Sequence, residues 1–268
     1  MPIWHWNITT WGGAVQDYLN GPSCRADIVL LCETHRPPAW GDPPGLAGWR
    51  GLWHPAVPSD TGKGWSAGVA VLWRSRFVIE PLRRDVMLLA LNGRDDLLSR
   101  LTGAVVRMQK GSVVVLEVYL VVGMGLTGCN AVLLEALGLI AGICGLPIVA
   151  FGDFQVGAAE LAEAVPVQAG GWSVVHGLGP TCFTPKAATG IDCVLLSPSA
   201  SSLVTQVGKS PTLRRPHWAV WAVLETRPRS RMMWRQPPPA KWGSAFLQWM
   251  DASREDDALM EWDPHRMG

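Results

Sequence analysis

Short apolar runs, broken by segments rich in glycine and proline, recur along the whole chain. Trp4 to Thr9 reads as a strand, and Ala14 to Leu19, opened by Gly12-Gly13, as a helix. Asp27 to Cys32 is a continuous apolar run ending at Glu33, the pattern of a strand buried on both faces. His35 to Gly48 and Pro55 to Gly64 predict loops, with Trp49 to His54 a strand between them. Ser66 to Arg74 predicts another strand, and Phe77 to Pro81 and Val86 to Leu91 two weaker ones. Leu101 to Met108 and Ser112 to Tyr119 flank Gln109-Lys110-Gly111, which reads as a hairpin turn. Thr127 to Cys144 has helical length, with Thr127 as its N-cap. Pro147 to Phe151 is a strand, and Val156 to Val165 a short helix. Trp172 to His176, Gly190 to Ser197, Val204 to Val207 and His217 to Thr226 complete the strands.

Strands outnumber helices, and many neighbours are hairpin-linked. The fold class expected is α/β, with two packed sheets flanked by helices. A domain over residues 1–225 accounts for the periodic part. Beyond Thr226, Arg227 to Lys241 mixes basic residues, prolines and Trp234 without core periodicity, so residues 226–268 read as a linker or tail with a short helix over Gly243 to Trp262.

Composition changes this picture little. Hydrophobic residues make up 48% of the 268, enough for a large core, while a net charge of +1 gives no overall attraction to a polyanion. Nucleic-acid binding would therefore need a local basic face. Six cysteines without paired spacing fit buried free thiols in a reducing compartment, cytoplasmic or nuclear. The uncharged run Ala136 to Phe151 is interrupted by Gly145-Leu146-Pro147 and is short for a membrane span. Of the 15 tryptophans, Trp40, Trp49, Trp53 and Trp65 fall in or beside loops, where they could stack on bases.

Candidate chemistry gathers at strand ends. Gly152-Asp153-Phe154 closes the strand Pro147 to Phe151, and an acid there is costly unless it has a role. Asn7, Glu33, Asp192 and His217 also stand at or within short strand-like runs. Acids, an amide and an imidazole delivered by separate strands to one rim suit metal-assisted attack on a phosphodiester.

The ordered set Trp6-Asn7-Ile8, Leu31-Cys32-Glu33-Thr34, Ser66-Ala67-Gly68-Val69-Ala70-Val71-Leu72, Tyr119, Gly152-Asp153-Phe154-Gln155, Ile191-Asp192 and His217 resembles the endonuclease/exonuclease/phosphatase superfamily. The resemblance spans Ile3 to Leu224. It implies a four-layer α/β sandwich and a Mg²⁺-dependent phosphoesterase, with Mn²⁺ as an alternative ion. Carried over by position, Glu33 is a metal ligand, and Asn7 binds the metal or orients Asp153. Asp153 positions and deprotonates the attacking water, Tyr119 contacts a phosphate oxygen, and His217, oriented by Asp192, donates to the phosphoryl oxygen. Two positions depart from the family pattern. Gln155 stands where an Asn is usual, and Pro216 stands where the residue before the His is usually Asp, which removes a carboxylate from the metal cluster.

Three functions follow from the resemblance. The Arg-, Pro- and Trp-rich segment after the last strand is similar to the junction in non-LTR retrotransposons, where a reverse transcriptase follows the endonuclease. That favours a DNA-nicking endonuclease, with RNA a further phosphodiester substrate and Arg74, Arg76, Arg83, Arg84, Arg214 and Arg215 as phosphate contacts. Pro216 and Gln155 favour instead a catalytically degenerate nucleic-acid or protein interaction module. A lipid or small-molecule phosphoesterase is the third.

Overall fold

A computed structural model describes residues 1–41, 46–59, 62–109, 111–212 and 216–225. Asp60, Lys110, Arg214, Arg215 and the tail 226–268 lie outside the described residues. Two six-stranded sheets form the centre. The strands are β1 (Pro2–Asn7), β2 (Ile28–Cys32), β3 (Trp49–His54), β4 (Val57–Pro58), β5 (Trp65–Ser66), β6 (Val69–Arg74), β7 (Ile79–Pro81), β8 (Leu101–Arg107), β9 (Ser112–Tyr119), β10 (Ile148–Asp153), β11 (Ser173–Val174), β12 (Cys182–Phe183), β13 (Ala188–Thr189), β14 (Asp192–Leu196), β15 (Val204–Ser210) and β16 (Ala219–Leu224). One sheet has the order β15-β16-β1-β2-β6-β3, the other β11-β14-β10-β9-β8-β7, and β4-β5 and β12-β13 are small ladders. Parallel pairs β1–β2 and β9–β10 sit inside otherwise antiparallel sheets.

Side chains alternate along each strand, and the alternation sorts them into layers. Ile3, Ile28, Leu30, Val71, Val113, Val115, Val149, Phe151 and Val194 fill the space between the sheets. Trp6, Val29, Leu31 and Leu72 turn outward onto Val15 and Leu19 of α1 (Gly13–Asn20). Leu116, Val118, Ala150 and Leu195 turn outward on the other side. They meet α2 (Arg84–Ala90), α3 (Cys129–Cys144), α4 (Ala158–Ala162) and α5 (Val165–Ala169). The result is the four-layer sandwich expected from the sequence. Gly152 lets two strands approach closely: a Cβ there would lie 2.2 Å from the Val118 carbonyl oxygen.

Several local expectations are corrected. Val86 to Leu91 is not a strand; Arg84–Ala90 is helical, with Met87 and Ala90 buried and Leu89 exposed, a one-sided pattern that the short run hid. Thr127 does not cap α3. The helix begins at Cys129 after Gly128, and the Thr127 hydroxyl donates to the Met124 carbonyl instead. Val156 to Val165 is divided into α4 and the start of α5, with Ala164 in extended backbone between them. Ser66 to Arg74 is broken by Ala67 and Gly68, both at positive φ. Trp49 is buried, its indole N–H donating to the Leu19 carbonyl at 3.0 Å. Arg74 turns inward, stacking on Trp49 and donating to the Cys24 and Ala26 carbonyls, which removes it from phosphate contact. Arg76, Arg83 and Arg84 pair with Asp27, Asp85 and Asp95. All six cysteines are free, and no helix among the described residues is long and apolar enough to cross a membrane.

Candidate metal and phosphate site

Strand direction and pleat together assemble the site. Parallel β1 and β2 end at the same rim, pairing Asn7 with Cys32, and parallel β9 and β10 end there too, pairing Tyr119 with Asp153. β14 runs the other way, so its first residue, Asp192, lies opposite Asp153. Asn7, Tyr119, Asp153 and Asp192 share the pleat face of the inter-sheet residues Ile3, Val115, Phe151 and Val194, so they line the mouth of the gap between the sheets. His217, just before β16, bridges to Cys182.

Every site residue expected from the sequence reaches this rim. Asn7 Nδ2 donates to Asp153 Oδ2 at 2.9 Å, and Asn7 Oδ1 accepts the Thr9 N–H at 3.0 Å. That carboxamide is therefore oriented, and it orients Asp153 in turn. The Gln155 N–H donates to Asp153 Oδ1 at 3.2 Å; its side chain is half-buried at the rim. The Tyr119 hydroxyl donates to Glu33 Oε1. His217 Nδ1 lies 2.9 Å from Asp192 Oδ2, and His217 Nε2 lies 3.9 Å from Asp153 Oδ2. Thr9, Glu33, His35, Ala67 and Gln155 all hold positive φ without being glycine. Such strain persists only where the surroundings over-determine it, and here it surrounds the rim.

Electrostatics separates the two aspartates. Burial, reinforced by the Asp192 charge, pushes the Asp153 carboxyl up to about 7 against the opposing pull of His217 and Asn7. Burial would raise Asp192 as well, but hydrogen bonds from His217 and His5 outweigh it and hold Asp192 below the usual carboxylate range. Burial opposes charge on His217, yet the Asp192 hydrogen bond and charge raise it above an ordinary imidazole. One acid thus sits near neutrality while its neighbour is ionised, the separation that acid–base chemistry needs.

A divalent ion fits the donors present. Asp153 and Asp192 bring carboxylate oxygens within 4.8 Å of each other and of the His217 ring, and Glu33 adds a half-buried carboxylate on the same rim. Hard ions favour such oxygen donors. Pro216 contributes only its backbone, its carbonyl accepting the Phe183 N–H at 2.8 Å.

Three residues of this region were not anticipated. Arg100 places its guanidinium 4.9 Å from the centre of the Tyr119 ring, and its buried Nη1 has no hydrogen-bond partner among the described residues. His5 and Glu117 lie fully buried one pleat below Asn7 and Tyr119, with His5 Nδ1 2.9 Å from Glu117 Oε2. Burial disfavours a charged His5, but Glu117 and Asp192 outweigh it and lift the imidazole to about 10. A charge inside Val113 to Val118 was the signal for Glu117, since an acid in an apolar strand needs a partner. For Arg100 the sequence offered nothing that set it apart from other arginines.

No protein-family model matches the chain, and no curated protein matches it. Solved structures do. The catalytic domain of Xenopus laevis APE2 superposes with a TM-score of 0.63 at 17% identity, covering 87% of this chain and 94% of that one. A 3′-5′ exonuclease from Neisseria meningitidis, NExo, gives 0.58 at 22% identity over 84% of this chain and 99% of its own. The endonuclease domain of TRAS1, a telomere-specific non-LTR retrotransposon, gives 0.60 at 12% identity over 84% and 98%. Two six-stranded mixed sheets between helical layers, with acids, amide and imidazole at one rim and these neighbours, give the chain the fold of the endonuclease/exonuclease/phosphatase superfamily.

Proposed function

We propose that the chain is a divalent-metal-dependent phosphodiesterase that nicks DNA. The observation that carries this reading is the convergence of Asn7, Glu33, Tyr119, Asp153, Asp192 and His217 on one rim, with the Asn7–Asp153 and Asp192–His217 pairs already bonded. Glu33, with Asn7 on the neighbouring strand, would hold Mg²⁺ or Mn²⁺. Such an ion supplies Lewis-acid polarisation of the phosphoryl group.

The chain's own groups divide the remaining work. Asp153, with a carboxyl near 7, takes the proton of an attacking water, oriented for this by Asn7. His217 donates from Nε2 to a phosphoryl oxygen while Nδ1 stays on Asp192. The Arg100 guanidinium, over the Tyr119 ring, adds a positive charge behind the rim that favours an anionic phosphate there. The water oxygen adds to phosphorus as its proton passes to Asp153, and the bond to the leaving oxygen breaks, that oxygen keeping the electron pair and taking a proton from solvent. The TRAS1 likeness and the Arg- and Pro-rich tail favour a retroelement endonuclease with a reverse transcriptase downstream.

Conversion of supercoiled plasmid to the nicked form in Mg²⁺, abolished by Asp153→Ala, tests the proposal. Pro216 motivates a second reading, a degenerate binding module. Intact plasmid at every metal concentration, with salt-sensitive DNA binding, would establish that reading instead. Phosphate release from small esters with plasmid intact would indicate a different phosphoesterase.

A further inference from the structure

One pleat beneath the rim, a polar pair interrupts an otherwise apolar layer. His5 on β1 and Glu117 on β9 share their depth with Leu30, Phe151 and Val194, all buried. His5 uses both ring nitrogens on carboxylates: Nδ1 is 2.9 Å from Glu117 Oε2, and Nε2 is 3.1 Å from Asp192 Oδ1. A neutral imidazole has one N–H, so both contacts are satisfied only by imidazolium or by a protonated Glu117. Glu117 Oε1 has no hydrogen-bond partner among the described residues. Apolar residues of similar volume in place of such a buried pair are often neutral or stabilising. Stability alone therefore gives no reason for the pair.

Its geometry does. Asp192 is held from two sides, by His217 at the rim and by His5 from below. Its backbone N–H donates to Thr181 Oγ1 at 3.0 Å, which fixes the strand but not the carboxylate. Asp153 lies directly opposite on β10. His217 Nδ1 meets both Asp192 oxygens, at 2.9 and 3.2 Å, but from one side only, and like charges across a ladder repel, so a carboxylate held by His217 alone could still swing away from Asp153 about that contact. His5 removes that freedom.

We propose that His5, backed by Glu117, is a positioning residue that locks the Asp192 carboxylate in the orientation that holds His217 for phosphoryl-oxygen contact. The inference rests on the reading of the rim as a hydrolytic site. Removing an outer hydrogen-bond partner of this kind costs about 10- to 100-fold in activity in comparable sites.

The test uses two routes. The double variant His5→Leu/Glu117→Leu removes both polar groups together and leaves no orphaned charge. Expected are melting at or above wild type, kcat lowered about 10- to 100-fold with KM unchanged, and an upfield, broadened Nδ1–H proton resonance of His217. The second route compares His5→Gln, whose amide reaches Asp192, with His5→Asn, which is one methylene short. Retained kcat in the first and lowered kcat in the second support the brace; equal values in the two overturn it. A folded double variant with wild-type kcat and an unmoved His217 resonance also overturns it. Wild-type protein that cleaves no phosphodiester overturns the hydrolytic reading alone, and the His217 resonance then decides the brace.

Discussion

Asp153→Asn should make the protein more stable while removing its activity, and the gain should depend on pH. The native carboxyl is lifted from an ordinary 3.8 to about 7, first by burial and then by the Asp192 charge. An acid with a raised value keeps its proton longer in the native state than in the unfolded chain. Wild-type stability therefore falls as pH rises from about 4 to about 7 and is level above that. At about 1.4 kcal/mol per tenfold change in proton affinity, the penalty is about 2 kcal/mol at pH 5 and about 4 kcal/mol at pH 8. The amide variant would escape this penalty, but it could offer its one carbonyl oxygen either to Asn7 Nδ2 or to the Gln155 N–H, not to both. The lost hydrogen bond costs about 1–2 kcal/mol. The net expectation is no change near pH 5 and a gain of about 2 kcal/mol at pH 8, or about 4–8 °C in Tm for a domain of this size. Urea and thermal unfolding at both pH values, with chelator present, measure it. A variant less stable than wild type at pH 8, or a difference that does not widen with pH, would refute the electrostatic account of Asp153.

Other perturbations separate the parts of the site. Gly152→Ala places a methyl 2.2 Å from the Val118 carbonyl oxygen, where only backbone could yield; a loss of about 3 kcal/mol in chemical denaturation is expected, and wild-type stability would contradict the close strand approach. Arg100→Ala should raise KM about fivefold for plasmid with kcat little changed, because a positive charge behind the rim, worth about 1 kcal/mol toward an anion, is lost; an unchanged KM would remove Arg100 from the electrostatics of phosphate binding. Tyr119→Phe deletes the hydroxyl that holds Glu33; Mn²⁺ affinity by calorimetry should fall about tenfold or more, and unchanged affinity would separate Glu33 from the ion. Pro216→Asp restores a carboxylate beside His217 and should lower the Mg²⁺ concentration needed for half-maximal nicking; an unaltered metal dependence would show that this position does not face the ion.

Much of the fold is legible in the sequence because strand periodicity is local. Ser112 to Tyr119 reads with its observed bounds, since an apolar run between a turn and a polar rim has few other solutions. Val86 to Leu91 misleads for the converse reason: a short apolar run carries no period long enough to distinguish helix from strand. The placement of polar groups at strand ends is legible because their cost in a strand is visible in sequence. His5 lies between two tryptophans and looks like ordinary strand alternation. Its significance depends on Glu117 and Asp192, 112 and 187 residues away along the chain. Arg74 shows the limit from the other side: one basic residue among several gives no sign of whether it faces solvent or, as here, the Cys24 and Ala26 carbonyls.

The central claim is that groups from both sheets form one pocket for a cation and a phosphate ester. Anomalous diffraction from crystals soaked in Mn²⁺ tests it most directly. A peak within bonding distance of the Glu33 carboxylate is expected, lost in Glu33→Gln crystals. A rim that stays empty at millimolar Mn²⁺, or an ion bound only on another face, would contradict it.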